Sequence, residues 1–185
     1  MSDYVIISPH VVPGPVTVTH SSPQCAIGLE VDAVDRAAAT SGGLAYGKFV
    51  YCRGSNGDSN GRFVNIVNGS AVLLNSASSH IPYPIGAAPV SLSATNVYGW
   101  VQVKGHADYL RGTNTAPEAA LPFYLTNTAG YILTNVLVGS RIHGILAPAQ
   151  TNTVASSSGG YRYFLDRPYV MPIYTGASNA TVNGA

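Results

Sequence analysis

The sequence predicts an all-β protein: a compact β-sandwich or β-barrel-like domain of short antiparallel strands, with an extended N-terminal arm and at most one short helix. Three observations carry this. From Leu44 onward, short β-branched and aromatic runs recur at regular spacing, with Gly, Asn and Pro between them. Helical character is confined to one stretch, Glu30 to Thr40. The chain is punctuated by 20 glycines and 12 prolines, which suits a fold with many turns. No repeat of fixed period is present.

The elements follow in order. Residues 1–20 alternate strand-formers with proline: Val5-Ile6-Ile7, Val11-Val12 and Val16-Thr17-Val18 around Pro9, Pro13 and Pro15. Pro13-Gly14-Pro15 can neither be helical nor donate a sheet ladder. The segment reads as an arm laid on another surface and pairing through its backbone; the alternative is an ordinary N-terminal edge strand. Glu30 to Thr40 has three acids ahead of one Arg and an Ala triplet, which suits a short helix stopped by Ser41-Gly42-Gly43, or a loop. Phe49–Arg53 and Arg62–Val67 read as strands joined by the turn-rich Gly54–Gly61, a long hairpin loop. Ala71–Leu74 is a further strand, and Pro82, Pro84 and Pro89 mark an irregular crossing. Val97–Lys104 alternates, with Val97, Gly99, Val101 and Val103 on one face and Tyr98, Trp100, Gln102 and Lys104 on the other. Leu121–Leu125, Tyr131–Thr134, Arg141–Leu146, Tyr161–Leu165 and Tyr169–Tyr174 complete the set. Residues 1–40 are thus the arm with a helix or loop, 41–174 the β domain, and 175–185 a peripheral tail.

Charge is scarce. Only 9% of residues are Asp, Glu, Lys or Arg, against about 25% in ordinary domains. On the roughly 8,400 Å² expected for a compact monomer of this mass, that is about one charge per 500 Å², sparser than free monomers normally carry. A net charge of +1 argues against nucleic-acid binding by phosphate neutralisation. With 46% hydrophobic residues the chain can bury a core. No apolar run approaches 18 residues, so no membrane span is expected, and Met1-Ser2-Asp3-Tyr4 starts no signal peptide. Twelve Tyr against four Phe favour partly wet contact surfaces, although any single Tyr is as readily a core residue with a satisfied hydroxyl.

Sequence fragments that resemble catalytic motifs lack their context. Gly57-Asp58-Ser59-Asn60-Gly61 matches G-x-S-x-G, but a β-branched run follows where a nucleophile elbow needs a helix. Gly42 to Lys48 approximates a phosphate loop, but Phe49 stands where Ser or Thr must hold magnesium. His10, His20, His80, His106 and His143 are scattered; His106 and Asp108 could share a strand face, but two ligands do not make a metal site. Glu30, Asp32 and Asp35 cluster, while Asp58, Asp108, Glu118 and Asp166 are isolated, so no carboxylate pair is evident. Cys25 and Cys52 read as reduced and buried or half-buried, their pairing open. Asn68-Gly69-Ser70 and Asn179-Ala180-Thr181 are chance-level sequons. No catalytic, cofactor or metal residue is expected.

Tyr98-Gly99-Trp100-Val101-Gln102-Val103-Lys104-Gly105-His106-Ala107 resembles the "YGWVQ-x-x-G-x-A" strand of head decoration (cement) proteins of tailed bacteriophages. The order that follows is also similar to that group: Pro122–Thr126 where they have "PLY-x-T", a turn at Ala129-Gly130, Gly139–Leu146 like their "G-x-x-I-G-x-A" strand, and Tyr161–Leu165 ahead of a Pro-rich end. The likeness covers roughly residues 44–174. The sequence departs in its long N-terminal segment and at Arg141-Ile142-His143, where smaller residues are usual. The resemblance implies a non-enzymatic virion protein on the outer surface of a phage head, assembled in the host cytoplasm. It would bind the major capsid protein, commonly as a homotrimer at local three-fold positions, and use an N-terminal arm to add strands to capsid-protein edges. On that reading Val5, Ile6, Ile7, Val11, Val12, Val16 and Val18 form the capsid-binding arm. Tyr98, Trp100, Tyr161, Tyr163, Tyr169 and Tyr174 are the inter-subunit or capsid contacts. The alternative is a phage tail, fibre or surface adhesin module, with Tyr and Trp100 stacking on sugar rings.

Overall fold

The computed structural model describes residues 3–9, 11, 14–36, 45–57, 59–75, 83–110, 123–125, 128–133, 141–146 and 161–171. Val12, Tyr174, the rest of the Glu30–Thr40 stretch beyond Arg36 and the 175–185 tail lie outside these, as do the side chains of Tyr161 and Asp108. Among the described residues every element is a strand: β1 (Tyr4–Ile6), β2 (Glu30–Asp35), β3 (Ala45–Arg53), β4 (Arg62–Val67), β5 (Ser70–Leu73), β6 (Ile85–Ala88), β7 (Tyr98–Leu110), β8 (Phe123–Leu125), β9 (Ile132–Leu133), β10 (Arg141–Leu146) and β11 (Tyr161–Met171). The all-β prediction holds, although β3, β7 and β11 are long rather than short.

All eleven strands join one sheet, in the order β1-β2-β3-β5-β4-β6-β7-β11-β10-β8-β9, and β3 also pairs with β7. That extra pairing turns β3-β5-β4-β6-β7 into a five-strand ring. All of its pairings are antiparallel except β3–β5, a single parallel match of Arg53 with Ser70. Side chains of all five ring strands meet in one cluster: Val50 and Cys52, Val64 and Ile66, Ala71 and Leu73, Ala88, and Val101. The alternating pleat sends their neighbours outward. Phe49, Tyr51 and Trp100 form a second cluster with Tyr4, Ile6, Val16, Val31 and Ala33. Phe63, Ile85, Ala87 and Ala107 form a third with residues of β8 to β11, among them Phe123, Ile142, Tyr163 and Leu165. The ring is thus filled inside and covered on two outer sides.

Strand β7 touches all three clusters. The alternation expected of Val97–Lys104 is present, but both faces are buried from Gly99 to Val103, so Trp100 is a core residue. β7 also has to bend. Lys48 pairs with Lys104 while Phe49 pairs with Gln102, which leaves Val103 as an extra residue, a β-bulge. The buried Gln102 side chain spans the irregularity: its Nε2 donates to the carbonyls of Lys104 (3.1 Å) and His106 (2.9 Å). Gly105 has φ +100°, and a Cβ there would fall 2.4 Å from the Tyr46 carbonyl oxygen. Only glycine fits both the angle and the approach. A second irregularity separates the runs expected at Tyr161–Leu165 and Tyr169–Tyr174. As far as Met171 they are one strand, kinked at Asp166-Arg167-Pro168, with Arg167 at φ +47° opposite Gly144 at φ +78°.

Several expectations are corrected. Glu30–Asp35 is a strand, not a helix: Val31, Ala33 and Asp35 are buried while Glu30 and Asp32 are exposed, a period of two that outweighs the Ala-rich continuation. The Gly54–Gly61 connection is not a hairpin, because β5 lies between β3 and β4. The hairpin is β4–β5, closed by Asn68-Gly69 at φ +48° and +76°, the geometry of a two-residue turn. Ile85–Ala88, inside the supposed irregular crossing, is a wholly buried strand. Of the two readings of the N-terminal segment, the structure shows the edge strand. β1 pairs with β2, and residues 14–16 fold back on it through Ile6 N–H to the Gly14 carbonyl and Val16 N–H to the Tyr4 carbonyl. The Tyr4 ring lies against Gly47, and its hydroxyl donates to the His106 carbonyl at 2.9 Å. Ile6 and Val16 are therefore core residues.

Two outcomes test this packing. Gly105→Ala should lower stability by roughly 2–4 kcal/mol, through left-handed strain and overpacking, read as a shifted urea midpoint with unchanged slope. Removing residues 1–20 strips Tyr4, Ile6 and Val16 from their cluster and should cost on the order of 5 kcal/mol; an unchanged midpoint for the truncated chain would separate this segment from the core.

Candidate interaction surface

Ser59 and Lys48, from the two motif-like fragments, both make structural contacts. Ser59 is buried, and its Oγ accepts the Leu92 backbone N–H at 2.8 Å, tying the Gly54–Gly61 connection to the segment before β7. Lys48 lies within β3 in ion pairs with Asp32 and Glu30, not at a helix N-terminus. Cys25 and Cys52 are both free thiols. Burial pushes the Cys52 thiol up to about 12 and raises that of Cys25, so neither is an activated nucleophile. His106 packs edge-on against Phe164, and His143 stacks on Tyr169. Among the described residues no three His, Cys, Asp or Glu side chains converge, and no helix is long and apolar enough to cross a membrane.

The predicted contact residues divide. Trp100, 3% exposed, and Tyr163, fully buried, belong to the core; they are corrected from contact positions. Tyr51 packs on Trp100 at 4.9 Å and stacks on Tyr98, and Tyr163 sits between Phe63 and Phe123. Tyr98 is half-buried and exchanges both backbone bonds with His20. Among the described side chains of this group, Tyr169 is the one that is exposed, at 44%. Of the arm residues, Val5 and Val11 are half-buried, while Ile7 (53%) and Val18 are exposed.

Two surface features emerge from strand register. The first is a charge ladder across four strands. Asp32 on β2 faces Lys48 on β3, Lys48 faces Lys104 on β7, and Lys104 faces Asp166 on β11. Lys48 Nζ lies 2.9 Å from Asp32 and 3.4 Å from Glu30, Lys104 pairs with Asp166 at 3.3 Å, and one Arg167 nitrogen bonds both Glu30 oxygens at 2.7 and 2.9 Å. Three acids and three bases neutralise one another there, so six of the chain's 17 formal charges (9 basic plus 8 acidic) are mutually engaged. The remaining surface is sparser in charge than composition alone indicates.

The second feature is an apolar row beside the ladder. Val5, Val34 and Tyr46 are direct cross-strand partners on β1, β2 and β3, so they share one face. Ile7 continues it, its N–H bonded to the Asp32 carbonyl at 3.0 Å. Tyr46 is 57% exposed. The opposite face of these strands carries Tyr4, Ile6, Val31, Ala33 and Phe49 and is fully packed. Tyr46 and Val34 were missed in the sequence because Glu30–Asp35 did not read as a strand; the period-two pattern of E-V-D-A-V-D was the available signal. Leu146 on β10 is also exposed; its strand borders β11 at the far end of the ladder and lies away from the β1–β2–β3 row.

No family model matches the chain, and no curated protein or solved structure is detectably similar to it.

The ladder has a pH signature. The Asp32 hydrogen bond, with help from Glu30, raises the Lys48 ammonium above its ordinary value of 10.5. A raised folded-state value stabilises fully below the unfolded value and is lost as pH rises through the folded one. Lys48→Met should therefore be less stable than the parent at neutral pH, and the gap should close as pH rises past the ordinary lysine value of 10.5 and through the raised one, measured by urea unfolding across pH.

Proposed function

We propose that this chain is a capsid decoration (cement) protein. It binds the outer surface of a phage head and stabilises it by bridging capsid-protein subunits, without catalysis. The observation that carries the reading is the economy of charge. A surface with so few ions, six of them engaged in one neutral ladder, suits a protein whose exposed area ends in contacts, since interface cores are depleted of Lys, Glu and Asp. The resemblance of Tyr98–Ala107 to the decoration-protein strand supports it as a likeness of fold. In β7 those residues serve packing and the bulge: Trp100, Val101 and Ala107 fill three clusters, and Gln102 and Gly105 shape the bend. Decoration needs only added buried area. Each 1,000 Å² of apolar burial is nominally worth about 25 kcal/mol before association costs, which opposes the internal pressure of packed DNA.

A second reading, a carbohydrate-binding tail or adhesin module, is favoured by one observation: Tyr169 is exposed and lies stacked on His143 at 5.4 Å between centroids, an aromatic plane of the kind sugar rings stack on.

The test is co-sedimentation with undecorated heads of the phage that encodes the chain. Saturable binding at about 10 μM or below and a raised rupture temperature of the heads are expected. No association at that concentration, together with glycan-array binding that Tyr169→Ala abolishes, would replace decoration with the carbohydrate reading.

A further inference from the structure

We infer that the open face of the β1–β2–β3 wing, centred on Tyr46 with Val5, Ile7 and Val34, is the surface that seats the chain on a shell subunit, where it takes an apolar contact without net charge. The inference rests on the decoration reading and adds to it which face docks and what chemistry it accepts.

Register defines the patch. Val5, Val34 and Tyr46 stand in one cross-strand row and Ile7 lies one step along. Isolated surface hydrophobics are ordinary, but contiguous ones mark contact sites. The wing's other face is already filled by Tyr4, Ile6, Val31, Ala33 and Phe49, so a partner can reach only this one. A solvent-facing Tyr flanked by aliphatic side chains has the composition of an interface anchor.

Charge selects the occupant. The border of the patch is the ladder, where Asp32, Glu30 and Lys48 already satisfy one another. A charged partner, such as a phosphate backbone or an anionic headgroup, would have to break those pairs to gain any of its own. A neutral apolar protein surface leaves them intact. Area argues against a free dimer that rests on this patch alone. Tyr46 offers on the order of 100 Å² and the four residues together on the order of 300 Å², well below the roughly 800 Å² per partner of a stable pairwise complex. The patch therefore works as the anchor of a wider contact on a repeating shell, where many copies bind one lattice.

The experiment compares full-length wild type, Ile7→Lys, Tyr46→Lys and Leu146→Lys for co-sedimentation with undecorated heads, alongside thermal unfolding and sizing in solution. Wild type and Leu146→Lys should bind alike, while Ile7→Lys and Tyr46→Lys weaken apparent affinity by about tenfold or more with unfolding midpoints unchanged. Should Tyr46→Lys lower the midpoint, Tyr46→Thr, which keeps strand preference without a charge, is held to the same criterion. Wild-type binding with undiminished binding of the Ile7 and Tyr46 variants overturns this face and leaves decoration standing. Loss of binding in Leu146→Lys alone moves the contact to β10. A wild-type oligomer that Tyr46→Lys dissolves assigns the face to a second copy and overturns the inference, and failure of wild type to bind heads ends the decoration reading itself.

Discussion

The fold depends on bending one strand, β7, that is buried on both faces from Gly99 to Val103, where the bend begins. β7 pairs with β3, β6 and β11 and carries side chains into three separate clusters. Such a strand cannot curve toward water, so the curve is built from inside. An extra residue at Val103, a left-handed glycine at 105 and the Gln102 carboxamide turn the strand while keeping its freed carbonyls bonded. A buried carbonyl without a donor costs about 1–3 kcal/mol, and Gln102 supplies donors to two. Tyr4 supplies a third bond at the same place, which ties the first strand of the chain to the middle of its longest one.

The same parsimony governs the surface. With 9% charged residues, a chain gains little by scattering ions, and exposed single pairs contribute about 0–1 kcal/mol each. Here they are gathered into one cross-strand ladder that sets register across β2, β3, β7 and β11. It leaves the neighbouring sheet face to Val5, Ile7, Val34 and Tyr46, a division between neutral ionic rim and apolar centre found in contact surfaces.

The strands at Phe49–Arg53, Arg62–Val67, Ala71–Leu74, Val97–Lys104 and Arg141–Leu146 were legible because each is a β-branched or aromatic run bounded by Gly or Asn. Pairing was not. Nothing local tells that β5 inserts between β3 and β4, since partner choice is a tertiary property. Glu30–Asp35 misled through composition: acids and alanines have helical preference, yet burial on one side of a sheet overrode it. The N-terminal segment misled for the converse reason. Prolines excluded an interior strand, correctly, but a proline-rich stretch can close an edge, as residues 14–16 do against β1. Trp100 and Tyr163 show the limit of reading aromatics as contacts. Their partners lie on strands remote in sequence, and burial is set by those partners. The candidate face became visible only when register placed Val5, Val34 and Tyr46 side by side.

The Tyr4–His106 bond joins residues 102 apart, and the Arg167–Glu30 pair joins residues 137 apart. A ribosome releases the N-terminal wing long before β7 emerges to complete it. Through that interval Val31, Phe49 and Tyr51 have no Trp100 to cover them. Such high contact order slows folding and prolongs exposure to aggregation. The architecture therefore places its greatest hazard in biogenesis, where a chaperone holding the first fifty or so residues would protect the yield.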